Sequence, residues 1–211
     1  MKTMMNDRIR AYDRAARFYN LMNRLYFFGK DTLFRRLLVQ LLVPYRSVLN
    51  LCCGTGLDFH PLHDCISEPG RIIGIDISVQ MLRHAKRKRL PGVYLVRADI
   101  THLPFRREVF QAVLATFYLT IMPTPDSSIA EVRRVLQSRG KIGVLANHQP
   151  NTFLLKMLAK LIGAMAHINF DSNLEKLLST LLMITHKRFL YTEMVQLSRW
   201  FGMKKEFSYI A

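Results

Sequence analysis

The chain contains no run of 18 apolar residues, so nothing in its 211 positions reads as a membrane-spanning helix. Its first ten residues, Met1 to Arg10, hold no apolar stretch of the kind a secretory leader needs. Cysteine is scarce. There are three, two of them adjacent at Cys52 and Cys53, which is too few for a disulfide framework and lacks metal-ligand spacing. They read as small apolar residues in a reducing compartment, and no metal is expected. Acid is scarce as well. Fifteen Asp and Glu against 31 Lys and Arg give a net charge of +16, so the surface should attract an anionic partner, either nucleic acid or an acidic membrane. Internal repeats and low-complexity linkers are missing too, so residues 1–211 are expected to form a single domain.

What is present is a hydrophobic half of the composition, arranged in two periods. Residues 7–44 have helical spacing, with Asp7 placed to cap, Gly29 as a break and Pro44 as a stop. Residues 45–150 then alternate strands with helices. The strands are "RSVLNLCC", "GRIIGIDIS", "GVYLVRADI", "FQAVLATFYL" and "KIGVLANH". Helices are expected from "GLDFHPLHDCI", from "SVQMLRHAKRKRL" behind a Ser78 cap, and from "DSSIAEVRRVLQSRG", capped near Asp126 and closed by Gly140. Continuous apolar strands separated by helices define an α/β fold: a Rossmann-like, doubly wound, mostly parallel sheet covered on both faces. Residues 151–188 break the alternation and are expected to form a helical cap after the fifth strand. Residues 189–211 are expected to add a helix, "YTEMVQLSRWFG", and one strand, "KKEFSYIA".

In such a sheet, ligands bind beyond the carboxyl ends of the strands, where strand order reverses. The first strand ends in Cys52-Cys53-Gly54-Thr55-Gly56, whose glycines allow close backbone approach. A dinucleotide fingerprint needs a glycine where Cys52 stands and a third one further on, and neither is present. Asp76 closes the second strand at the distance at which a carboxylate meets a ribose diol, and Asp99 closes the third. The expected ligand is a nucleoside carrying something other than a pyrophosphate.

"VLNLCCGTG", "IIGIDISVQML", "RADITHLPF" and "EVRRVLQSRGKIGVL", in that order, resemble the class I S-adenosylmethionine-dependent methyltransferases. The resemblance covers roughly Tyr12 to His148. It implies S-adenosyl-L-methionine as cofactor, with Gly54 and Gly56 beside the methionine portion, Asp76 at the ribose, Asp99 and Ile100 at the adenine, and Ile77 as a further contact. Asn50, Cys52 and Thr116 are the other expected contacts. Two positions depart from the pattern: the family usually carries an acid at Asn50 and often a glycine at Cys52. The family's sheet also usually ends in an antiparallel hairpin, of which only one strand is expected here.

The opening "AYDRAARFYNLMNRLYFFGKDTLFRR" is similar to quinone C-methyltransferases. "VLATFYLTIMPTPDSSIAEVRRVLQSRGKIGVLANH" is more like bacterial phospholipid N-methyltransferases, which act on phosphatidylethanolamine. The expected acceptor is therefore a membrane lipid, with the phosphatidylethanolamine amine first and a quinone precursor as the alternative. RNA is a weaker alternative, because "ATFYLT" stands where a polar base-acceptor motif would be; a non-catalytic scaffold is another. A protonated amine must lose a proton before it attacks, so His148, Tyr19 and Tyr118 are the expected base candidates. Basic residues in "RHAKRKR" and along the first helix, together with the apolar stripe from Phe153 to Met165, point to a cytoplasmic protein peripheral on the inner face of an anionic membrane.

Overall fold

The computed structural model describes residues 9–10, 12–27, 29–40, 42, 44–66, 70–117, 125–148, 182–191 and 196–204, with side chains described as far as residue 145 except those of Tyr26, Pro125 and Asp126. Asp7, Tyr118 and residues 151–181 of the cap expected over 151–188 lie outside these residues, and the Asp126 cap lies outside the described side chains.

Helical residues at 9–10 and 12–15 precede two further helices, α1 (Tyr19–Tyr26) and α2 (Asp31–Gln40), separated at Gly29, whose φ is 74°. The core then runs β1 (Ser47–Leu51), α3 (Phe59–His63), β2 (Arg71–Asp76), α4 (Val79–Lys86), β3 (Val93–Arg97), β4 (Phe110–Thr116), α5 (Pro125–Val135) and β5 (Leu136–His148). Two further strands, β6 (Leu182–Tyr191) and β7 (Gln196–Lys204), complete a seven-stranded sheet in the order β3-β2-β1-β4-β5-β7-β6. Strands β1 to β5 are parallel, and β7 is antiparallel to both β5 and β6.

The central strands are largely buried on both faces because they are mostly apolar, while β3 at the edge keeps exposed positions. In β1, Leu49 and Leu51 face one core with Ile129, Val132 and Val135 of α5. Val48 faces the other, with Phe34 and Leu38 of α2 and Phe59 and Leu62 of α3. This two-sided burial is what a parallel sheet requires. Ser78 caps α4 as expected, accepting from Met81 N at 3.1 Å.

Three boundaries differ from the sequence expectation. Helix α5 stops at Val135 rather than near Gly140, because Leu136 is fully buried and pairs with Phe110 as the start of β5. Residues 182–188, expected as helix, belong to β6, and most of the helix expected over 191–202 is β7. A short apolar run fits a buried strand as well as a helix face, and β-branched Ile184 and Thr185 favour the strand. The expected shortage of one C-terminal strand is thereby corrected: the antiparallel hairpin is present, formed by β6 and β7, and apart from Lys204 the strand expected over 204–211 lies outside the described residues.

Candidate functional site

Strand order reverses between β1 and β4, so their carboxyl ends open a crevice there. The turn after β1 forms its floor. Gly54 and Gly56 both have positive φ, 53° and 76°. Gly56 also has a packing role: a Cβ there would stand 2.5 Å from the Phe59 ring, whose far edge lies equally close to Gly74 in β2. The two glycines form a slot for one aromatic ring, and that ring fixes the turn against the sheet. Cys52 has φ of 47°, a left-handed conformation that a glycine adopts freely and an L-residue at a cost of about 1–2 kcal/mol. This accounts for glycine being usual at that position. Cys52→Gly is expected to hold or raise stability, and Cys52→Val to lower it by more than about 1 kcal/mol, since a β-branched residue is poorly accommodated there; urea unfolding of both variants checks this.

Asp76 ends β2 beside the turn. Its Oδ2 accepts from Gly54 N and its Oδ1 from Ser78 N, each at 2.9 Å, and the Ile77 backbone adds a further bond, so a carboxylate with about four lone-pair sites retains capacity for a further donor. Burial raises its pKa above the ordinary aspartate value, partly offset by those backbone bonds. Asp99 follows β3 and accepts from Thr101 N and Thr101 Oγ1, both on Oδ1, which leaves Oδ2 for an amine. Ile77 is half-buried, its carbonyl taken by Arg97, while Ile100 is buried in the core next to Asp99.

Asn50 is fully buried, and here the sequence reading missed the decisive residue. Asp58, eight positions on, lies against it: Asn50 Nδ2 donates to Asp58 Oδ2 at 3.2 Å. Thr116 Oγ1 donates to the same oxygen at 2.7 Å, and Arg35 Nη1 donates to Asp58 Oδ1 at 2.6 Å and to Thr116 Oγ1 at 2.9 Å. The Arg35 and Asp58 side chains are 4% and 1% exposed, so this is a buried ion pair. Burial alone would pull the Arg35 pKa down, but Asp58, Tyr19 and Asp31 outweigh it and the net shift is upward. A carboxylate cannot donate, so Asp58 dictates that Asn50 turns its NH₂ toward it. The atom left over is Asn50 Oδ1, an acceptor that has no hydrogen-bond partner and is fully enclosed. The acid absent from position 50 is thus supplied by α2-bound Asp58, and Thr116 is committed to the same network. The cue was present in the sequence as "GLDF", an acid just past the glycine turn, but only the fold shows where it points.

Tyr19 leans on the turn from α1, its Cε1 3.9 Å from where a Cβ of Gly54 would stand. Asn20 accepts from Thr55 Oγ1, and Asp13 accepts from Ser78 Oγ and, at 3.3 Å, from Gln80 N. The N-terminal helical segment is therefore fastened over the turn by Tyr19, which is among the expected site residues, and by Asn20 and Asp13, which are not. Burial raises the Tyr19 pKa, with Arg35 lowering it and Asp58 and Asp76 raising it further. His148 is the last residue of β5, opposite Gln196, and its side chain lies outside the described ones.

An adenosine bearing an amino-acid arm fits these residues. Asp76 retains hydrogen-bonding capacity for a diol, Asp99 has one oxygen for an amine, and Asn50 Oδ1 is a buried acceptor with no hydrogen-bond partner among the described residues. Residues 48–140 match the family described as "Methyltransferase domain". The chain belongs to the class I S-adenosylmethionine-dependent methyltransferases.

Within that class its similarities are specific. It is 31% identical over 172 residues to a demethylmenaquinone methyltransferase of Lactobacillus johnsonii, covering 72% of this chain and 70% of that one. A demethylmenaquinone methyltransferase of Thermotoga maritima is 34% identical over 146 residues, covering 68% of this chain and 63% of the relative. A 2-phytyl-1,4-naphtoquinone methyltransferase of Trichormus variabilis is 29% identical, covering 70% and 68%. The match thus spans about two thirds of these relatives' length. Among solved structures, geranyl diphosphate C-methyltransferase of Streptomyces coelicolor, bound to Mg²⁺, geranyl diphosphate and S-adenosyl-L-homocysteine, shares the fold with a TM-score of 0.70. It is 14% identical, over 83% of this chain and 81% of that one.

Proposed function

We propose that this enzyme transfers a methyl group from S-adenosylmethionine to a ring carbon of a naphthoquinone-class acceptor carrying a long apolar chain. The observation that carries the acceptor is the 31% identity to a demethylmenaquinone methyltransferase over 172 residues. It favours the alternative of the sequence reading over the phosphatidylethanolamine amine.

When bound, the donor supplies a methyl already activated on a sulfonium. The protein's part is alignment and exclusion of water. Asp76 and Asp99 hold the adenosine, and the glycine turn lets the arm lie against the backbone. Asn50, oriented by Asp58, accepts from the arm's ammonium group. Tyr19 and Asn20 keep the N-terminal segment closed over the crevice. A quinone ring is electron-poor, so the acceptor reacts as the reduced quinol: a ring carbon takes the methyl, the sulfur keeps the bonding pair, and the ring proton leaves. The chain on the acceptor holds it in a bilayer, and the excess of basic residues supports an anionic membrane surface as the working partner.

The test is incubation with methyl-labelled donor and, separately, a reduced demethylated naphthoquinol with an isoprenoid chain, phosphatidylethanolamine, and RNA. Label is expected in the quinol. Label in phosphatidylethanolamine or RNA alone overturns the acceptor.

A further inference from the structure

Helix α1 is built inside out. Phe18, Leu21, Met22 and Leu25 recur at intervals of three, four and seven residues and so form one stripe along the helix. They are 50%, 58%, 60% and 66% exposed. The opposite, inward side carries the polar contacts: Tyr19 against Gly54, Asn20 with Thr55, and Asn23 donating to Asp31. A surface helix of a soluble protein normally has the reverse arrangement.

Charge around the stripe has one sign. Arg14, Arg17 and Arg24 are exposed, and none forms an ion pair among the described residues. Arg17 lies over the Phe18 ring, 4.6 Å from its centroid. The only acid in the described part of the segment before Asp31 is Asp13, and it is turned inward onto Ser78 and Gln80. An outward apolar stripe flanked by unpaired arginines is complementary to a surface with an apolar interior and anionic headgroups.

We propose that α1 docks the enzyme on an anionic bilayer, with Phe18, Leu21, Met22 and Leu25 inserted among the acyl chains and Arg14, Arg17 and Arg24 at the phosphates. This rests on the reading of a membrane-held acceptor and makes it specific. The same eight-residue helix touches lipid on one side and the donor turn on the other, so docking sets the crevice at the depth where a membrane-held acceptor can enter. No helix among the described residues is long and apolar enough to cross a membrane, which leaves this interfacial mode for α1.

The experiment is co-sedimentation of the full chain with vesicles of phosphatidylcholine containing 30% phosphatidylglycerol, compared with phosphatidylcholine alone. The parent protein is expected to partition at least tenfold more strongly onto the anionic vesicles, and Leu21→Glu/Leu25→Glu is expected to lose at least tenfold of that binding. S-adenosylhomocysteine affinity, melting temperature and oligomeric state should be unchanged in the variant. Undiminished vesicle binding by the variant overturns the proposal, as does failure of the parent to bind. A lower melting temperature or a dissociated oligomer also overturns it, because the stripe would then be covered by another segment or a second copy. Vesicle binding without quinol labelling would retire the acceptor and keep the docking helix; quinol labelling with unchanged vesicle binding by the variant would do the opposite.

Discussion

Replacing Asp58 with alanine is expected to lower folding stability by about 3–5 kcal/mol, the usual consequence of removing one member of a buried ion pair. Arg35, with its side chain 4% exposed, would keep its charge with only Asp31, 4.0 Å away, in reach, and both Thr116 and Asn50 would lose the oxygen they donate to. The loss would appear as a shift of the urea midpoint without a change in slope. The more telling variant is Asn50→Asp, which restores the family's usual residue. It would set a second carboxylate against Asp58 at the position of a 3.2 Å hydrogen bond. Two carboxylates in one site cannot both ionise cheaply, so one pKa rises in the folded state. A folded-state pKa above the unfolded one means the deficit is largest at neutral pH and shrinks as pH falls. Asn50→Asp/Asp58→Asn exchanges the two groups and should recover most of the stability. If Asn50→Asp alone were as stable as the parent at pH 7, Asp58 would not be the displaced acid.

The second large effect is on donor binding. Asp76→Asn is expected to weaken S-adenosylhomocysteine affinity by about a hundredfold or more, since two hydrogen bonds to a charged group, at about 1.5–3 kcal/mol each, become one neutral bond. Calorimetry reads this directly. The pH dependence has a definite sign. Burial raises the Asp76 pKa, so the free protein holds this proton more tightly than the unfolded chain does. That contribution to stability is present at low pH and is lost as pH rises through the folded pKa. The diol needs the ionised form, so donor affinity should fall on acidification above the pH at which an ordinary aspartate titrates, and Asp76→Asn should flatten that part of the profile. Affinity that is unchanged in the variant would remove Asp76 from the ribose.

Much of this was legible from residues alone. Apolar strands, the Gly54–Gly56 turn and the strand-end acids follow from local chemistry and spacing, and the sheet order and the Ser78 cap agree with them. The C-terminal hairpin was not legible, because "LMITHKRFLY" fits helix and strand periods alike until a partner strand is known. Asp58 was missed for another reason. An acid near a helix start reads as a cap, and only the packing of α2 against α3, bringing Arg35, turns it into the centre of a network. The outward stripe of α1 was likewise invisible, since apolar residues at helical spacing carry no sign of which side they face.

One crevice, at the carboxyl ends of β1, β2 and β3, is expected to hold the donor. A crystal structure with S-adenosylhomocysteine tests it most directly. The expected density has the ribose hydroxyls on Asp76, the adenine amine toward Asp99 and the amino-acid nitrogen at Asn50 Oδ1. A ligand seated elsewhere, or a crevice that stays closed to it at saturating concentration, would contradict the account.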